Sequence, residues 1–134
     1  MNTLLLDTDV VSYLLKQDSR AQLFEPYLRE QRLALSFMTV PELYQWAAIR
    51  KWGQLRIQQL ESTLHRYLIL PYDIGTCRLW GAVRAACQET GQPISAQDAW
   101  VAATALQYDL PLVTHNPTDF QAVPGLRIMT IPAE

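Results

Sequence analysis

Short apolar runs, each cut off by a polar residue or a proline, alternate along this chain with longer stretches of helical period. Leu4-Leu5-Leu6 stops at Asp7, Leu33-Ala34-Leu35 at Ser36, Tyr67-Leu68-Ile69-Leu70 at Pro71 and Leu112-Val113 at Thr114, and a last β-like run goes from Leu126 to Ile131. Each is strand length. Between them helices are predicted over Val10 to Lys16, Ala21 to Glu30 with Pro26 disturbing it, Val40 to Arg50, and a further stretch after Gly53 carrying Leu55, Gln59, Leu60 and Leu64. Two more follow, Thr76 to Thr90 closed by Gly91 as a C-cap and Ala96 to Gln107 behind Ser95. Strand–helix alternation of this kind predicts an α/β fold, a parallel sheet with helices on both faces. In such sheets the ligand crevice lies beyond the C-terminal strand ends, so the residues that stop the runs are where chemistry is expected.

The 134 residues fit one domain, 1–134. With 49% hydrophobic and 18% charged residues the chain can bury a real core, which excludes disorder as its main state. No apolar run approaches the ~18–20 residues that span a bilayer, and the start, Met1-Asn2-Thr3, lacks the basic opening of a signal peptide. A cytoplasmic protein with no membrane contact is expected. Cys77 and Cys87 fall in one predicted helix and read as reduced core cysteines. The net charge of −2 disfavours a general nucleic-acid coat protein. It leaves room for a catalyst that meets RNA at one local site, where bound metal ions supply positive charge.

Four acids stand just after an apolar run or at a helix start: Asp7, Glu42, Asp98 and Asp119. Each has a plain local reading. Thr39-Val40-Pro41-Glu42 has the form of a capping box, Ser95-Ala96-Gln97-Asp98 a shorter version of it, and Asn116-Pro117-Thr118-Asp119 a cap with proline at the first helical position. Together they read differently. Carboxylates gathered in one crevice repel and take up protons unless a cation sits among them, and hard oxygen ligands select Mg²⁺ or Mn²⁺. Such a cation can activate water and stabilise charge on a phosphoryl group. Thr8, Ser12, Ser36 and Thr39 are available to orient the acids or bond a phosphate. His115 adjoins the site, and His65 reads as a helix surface position.

The motifs, in order, resemble those of PIN-domain ribonucleases. Leu4-Leu5-Leu6-Asp7-Thr8-Asp9-Val10-Val11-Ser12 resembles their opening, Ser36 to Leu43 their S-x-x-T-x-x-E-L block, Ile94 to Ala105 their acid followed by an alanine-rich helix, and Leu112 to Phe120 with Pro124-Gly125-Leu126 their fourth block. Length and motif style resemble VapC, the toxin of bacterial toxin–antitoxin pairs. The resemblance implies a PIN-like three-layer fold with strand order 3-2-1-4-5 and a Mg²⁺- or Mn²⁺-dependent endoribonuclease inhibited by a VapB-like antitoxin. It carries Asp7, Glu42, Asp98 and Asp119 over as the acidic site, with Asp7 and Asp98 as direct metal ligands. Two positions depart from common forms. Asp9 stands where asparagine is frequent. Asn116 stands where some members have a further aspartate, so a weaker second metal site is expected there; asparagine still offers an oxygen, without charge.

Two other readings compete. The segment from Leu4 to Val11 also resembles the aspartyl-phosphate motif of haloacid-dehalogenase-type phosphatases, with Asp7 as nucleophile and Asp9 as general acid. That chemistry lacks a convincing downstream lysine, because Lys16 and Lys51 are the only two, and it leaves Glu42 and Asp98 unused. A PIN-like binding module with a decayed site is the other; the presence of all four acids speaks against it. The apolar residues between Val40 and Leu64, among them Leu43, Trp46, Ile49, Leu55 and Leu60, do not fall on one narrow stripe. A surface helix pair normally shows a single apolar face, so a contact beyond the sheet is expected. The resemblance supplies a homodimer and a groove for an antitoxin segment near the first helices.

Overall fold

A computed structural model describes residues 2–129. The strands are β1 (Thr3–Leu6), β2 (Arg32–Ser36), β3 (Leu68–Leu70), β4 (Leu112–Val113) and β5 (Ile128–Met129). The helices are α1 (Thr8–Lys16), α2 (Ala21–Leu28), α3 (Thr39–Ile49), α4 (Gln54–Leu64), α5 (Ile74–Glu89) and α6 (Ala96–Gln107). All strand pairs are parallel, in the order β3-β2-β1-β4-β5. This is the order that the family resemblance implies.

The apolar runs are continuous because both sheet faces are covered. Side chains alternate across a strand, and the two cores follow that alternation. Leu4, Leu6, Leu35 and Val113 pack on one side with Val10, Phe24, Leu43 and Leu60 of α1 to α4. Leu5, Ala34 and Leu112 pack on the other with Val83 and Cys87 of α5 and Ala99, Ala102 and Ala105 of α6. The small side chains of α6 let that helix lie close to the sheet. The result is three layers with β1 at the centre.

The chain winds from β1 outward to β2 and β3, then returns through α5 and α6 to β4 on the other side of β1. The direction of winding therefore reverses between β1 and β4, and their C-terminal ends mark the crevice where such sheets bind ligands. The ladder carries on one residue past the strands, the Asp7 N–H donating to the Val113 carbonyl at 2.9 Å.

Several local expectations shift. Pro26 lies inside α2; Gln22, whose carbonyl it leaves free, is exposed, and water can take that bond. α5 starts at Ile74 because Asp73 and Thr76 form a reciprocal capping box. Gly91 follows it at φ +75°, the left-handed cap expected of a glycine there. β5 covers only Ile128–Met129, and residues 130–131 of the expected run lie outside the described residues. The core reading of the cysteines holds for Cys87 and not for Cys77, which is exposed. Among the described residues no helix is long and apolar enough to cross a membrane.

Candidate active site

Asp7 ends β1 and opens α1, at the junction of strand and helix. Its Oδ1 accepts the Thr8 N–H at 2.9 Å, and its Oδ2 accepts the Thr114 hydroxyl at 2.8 Å. Thr114 stops β4 as Asp7 stops β1, and the β1–β4 pairing sets the two side by side. The Thr114 oxygen in turn accepts the Asn116 N–H at 3.0 Å, which fixes the turn after β4. Asp7 is 7% exposed. Burial first, then the charge of Asp9 and that of Asp98, push its pKa from 3.8 up to about 8, against the lowering effect of its two donors.

Glu42 reaches the same region from α3. The expected capping box at Thr39 does not form: Met38 is the N-cap and no side chain caps the helix. Instead the Thr8 hydroxyl donates to Glu42 Oε1 at 3.2 Å and lies 3.0 Å from the Thr39 hydroxyl. Because the Thr8 proton goes to the carboxylate, Thr39 donates to Thr8. Burial raises the pKa of Glu42, with a smaller push from the charge of Asp98.

Asp98 sits in the first turn of α6, and here the expected cap does form, Ser95 Oγ accepting the Asp98 N–H at 3.0 Å. Burial raises its pKa, and the charges of Asp119 and Asp9 add to the rise. Asp98 and Asp119 line one cleft of about 290 Å³ together with Ser95 and Thr118. Asp119 lies in a short 3₁₀ turn, Pro117–Phe120. Asp98 is thus the meeting point of the four acids: its charge reaches Asp7 and Glu42, and the charge of Asp119 reaches it, each from a different element. Among the described residues no group of three or more His, Cys, Asp or Glu is set closely enough to hold a metal ion by itself.

Asp9 and Thr114 act on the same acids, Asp9 through its charge on Asp7 and Asp98 and Thr114 through its bond to Asp7. Asp9 is held by the Asn116 Nδ2 amide at 2.7 Å and the His115 backbone N–H at 3.3 Å, both onto Oδ2, and its pKa is raised by burial. Asn116 donates its amide to Asp9, and no side chain caps the 3₁₀ turn that follows. The His115 ring is spoken for as well: Nδ1 lies 2.9 Å from the Tyr13 hydroxyl, and the ring meets Phe24 edge-on. The sequence signal for Thr114 is its place at the end of an apolar run, the position that Asp7 holds after β1. Ser36 pairs with Thr104 of α6 at 2.9 Å and accepts the Met38 N–H, tying the turn that leads into α3, with its Thr39 and Glu42, to the helix that carries Asp98. Ser12 is buried in α1; His65 is exposed at the end of α4, the surface position expected of it.

An α/β sheet with an acidic pocket at its switch point defines a class, and the comparison with known families bears this out. The PIN-domain model matches residues 4–126, and the chain belongs to the PIN-domain family. Within that family it is VapC-like. Ribonuclease VapC1 of Haemophilus influenzae is 30% identical over 125 residues, covering 92% of this chain and 93% of that protein. The tRNA(fMet)-specific endonuclease VapC of Shigella flexneri is 26% identical over 123 residues, with the same 92% and 93% coverage. The solved structure of VapBC-1 from nontypeable Haemophilus influenzae superposes with a TM-score of 0.81 at 28% identity, covering 97% of this chain and 98% of that one.

Proposed function

We propose that this chain is a metal-dependent endoribonuclease that cleaves RNA phosphodiesters in the cytoplasm, the toxin of a VapBC-type toxin–antitoxin pair, with 1–134 working as one PIN domain. One observation carries the reading. Asp7 is buried at the switch point beside Asp9 and Asp98, with each oxygen held by one donor, a setting that raises its pKa and that a bound cation relieves. The family match favours this over the dehalogenase-type reading of the same motif.

The donor set suits Mg²⁺ or Mn²⁺, because every side-chain ligand on offer is a hard oxygen. Mg²⁺ keeps several waters and takes one or two carboxylates, so a pocket without a three-carboxylate cage fits it. We assign Asp7 and Asp98 as direct ligands, Glu42 and Asp119 as completing the pocket in part through water, and Asn116 as offering its uncharged Oδ1 at the rim. When bound, the cation supplies charge for the phosphoryl group and a lowered pKa for water. The chain's own residues keep the acids in position. Each Asp7 oxygen spends one lone pair on Thr8 or Thr114 and retains another. Thr8 pins Glu42 through Oε1 and leaves Oε2 free of that bond. Purified protein should cut RNA with added Mg²⁺, and Asp7→Asn should keep its fold and lose both cutting and Mg²⁺ binding. An Asp7→Asn variant that cuts at the wild-type rate would reject the assignment, and a folded wild type that never cuts would leave a binding module.

The antitoxin reading is supported by a groove remote from the acids. Hollows of about 780 and 510 Å³ meet at Leu15, Gln17, Thr63 and Arg66, between the end of α1, α4 and the starts of β2 and β3. Their lining includes Lys16, Arg32, Arg56 and Arg66 and no acid. The groove suits an acidic amphipathic segment of a small partner protein, which blocks catalysis by sending an arginine or bulky side chain to the acidic pocket. The homodimer is supported by Ile49 and Leu55, which stay 68% and 69% exposed while Leu43, Ala47 and Leu60 of the same helix pair are buried. Light scattering of the purified chain tests it, and a monomer across the micromolar range would reject it.

A further inference from the structure

Four aromatic rings form a ladder at the β2–β3 side of the sheet's C-terminal end. Tyr72 and Phe37 lie 5.0 Å apart between ring centroids, Phe37 meets Trp100 edge-on at 5.4 Å, and Trp100 stacks on Trp80 at 5.2 Å. The Arg84 guanidinium sits over the Trp80 ring at 5.3 Å and closes the inner end. The outer end is open: Tyr72 is 61% exposed.

The exposed ring stands on a fixed backbone. Pro71 precedes it, and the Pro71 carbonyl accepts the Tyr108 hydroxyl at 2.9 Å. Asp73 follows it, locked in the capping box with Thr76 and held by the Gln107 amide at 3.2 and 3.3 Å. An aromatic ring held in the open on a rigid support is already arranged for a flat partner, so little ordering is lost on binding.

The ladder shares its supporting elements with the acids. Phe37 is two residues before Thr39, which bonds Thr8 beside Asp7, and Trp100 is two residues after Asp98. Resting on the ribonuclease reading above, we propose that Tyr72, backed by Phe37, is a stacking subsite for an unpaired base of the RNA strand next to the phosphodiester held at the acids. Aromatic faces accept any base by stacking, and unpaired RNA is where bases are free to be splayed out onto protein rings. The subsite therefore selects single-stranded loops or ends over regular duplex without reading their sequence.

The test uses a fluorescent single-stranded oligoribonucleotide of mixed sequence, with fluorescence anisotropy read in the full chain carrying Asp7→Asn to prevent turnover. Tyr72→Ala should weaken binding about tenfold, within the range that base–aromatic stacking supplies, and Tyr72→Phe should restore it. An abasic site moved along the oligonucleotide should reproduce the loss at one position, and at that position Tyr72→Ala should cost nothing further. Binding unchanged within twofold in Tyr72→Ala, or losses that simply add, would overturn the subsite. So would conversion of a dimer to a monomer by Tyr72→Ala, which would make the ladder a contact between copies. If the wild type cuts RNA while Tyr72→Ala binds it normally, the subsite alone falls; if the chain neither binds nor cuts RNA, the ribonuclease reading falls with it.

Discussion

Replacing Asp7 by asparagine should stabilise the metal-free protein at neutral pH. In the fold the carboxyl titrates at about 8, against 3.8 for the ordinary side chain. Its contribution to stability is intact below pH 3.8 and is lost as the pH rises through about 8, because folding then requires a proton the unfolded chain does not carry. pH 7 lies about three pH units above 3.8, and each is worth about 1.4 kcal/mol, so Asp7 costs the metal-free fold on the order of 4 kcal/mol there. Asparagine avoids that cost but loses something at Thr114. The amide must meet a hydroxyl oxygen that already accepts the Asn116 N–H, a mismatch of about 1–2 kcal/mol. The expected net gain is about 2–3 kcal/mol at pH 7, or about 8–12 °C in melting temperature for a chain of this length, falling to nothing or reversing at pH 4. Thermal melts in EDTA at both pH values, at one protein concentration, read this out. Added Mg²⁺ should then raise the wild-type melting temperature and leave Asp7→Asn unmoved. The reasoning is refuted if the variant is the less stable protein at pH 7 in EDTA, or if the difference between the two is the same at both pH values.

Thr114→Val removes the hydroxyl that donates to Asp7 Oδ2; it should cost about 1–3 kcal/mol of stability in chemical denaturation and weaken Mg²⁺ binding measured by calorimetry. Leu5→Ala, at a fully buried position on the central strand, should cost about 2–5 kcal/mol in urea denaturation, with no change in Mg²⁺ affinity if the fold survives. Arg66→Glu, in the basic groove shared by both hollows, should weaken the complex with the antitoxin at least tenfold in a pull-down titration while RNA cleavage by the free chain is kept.

The layer plan was open to reading because it follows from local pattern. Leu4-Leu5-Leu6 and Leu33-Ala34-Leu35 are apolar at every position since neighbouring side chains serve opposite cores, and the helices between them announce themselves by period. What stayed hidden is tertiary. Thr39 and Glu42 have every local feature of a capping box, yet Thr8, 31 residues from Thr39, takes both side chains instead. Pro117 does open a short helical turn behind Asn116, as the pattern implies, but no side chain caps it, and the Asn116 amide goes to Asp9, 107 residues away. Local hydrogen bonding and site chemistry call for the same residue types, so a sequence cannot tell them apart until partners from other strands arrive. Ser95 shows the converse, a cap that forms as its pattern implies. The aromatic ladder was invisible for the same reason, since Phe37, Tyr72, Trp80 and Trp100 lie on four separate segments.

The central claim is that carboxylates gathered at the β1–β4 switch point cut RNA with a divalent cation. Asp98→Asn is its most direct probe, because Asp98 feels the charges of both Asp9 and Asp119 and lies at the pocket's open cleft. The measurement is cleavage of cellular RNA by purified wild type and Asp98→Asn, in Mg²⁺ and in EDTA, with the new ends sequenced. The account predicts cuts at defined sites by the wild type in Mg²⁺ alone, restored when Mg²⁺ is returned after EDTA, and none by a folded Asp98→Asn. Equal cleavage by the two proteins, or wild-type cleavage undiminished by EDTA, would contradict it.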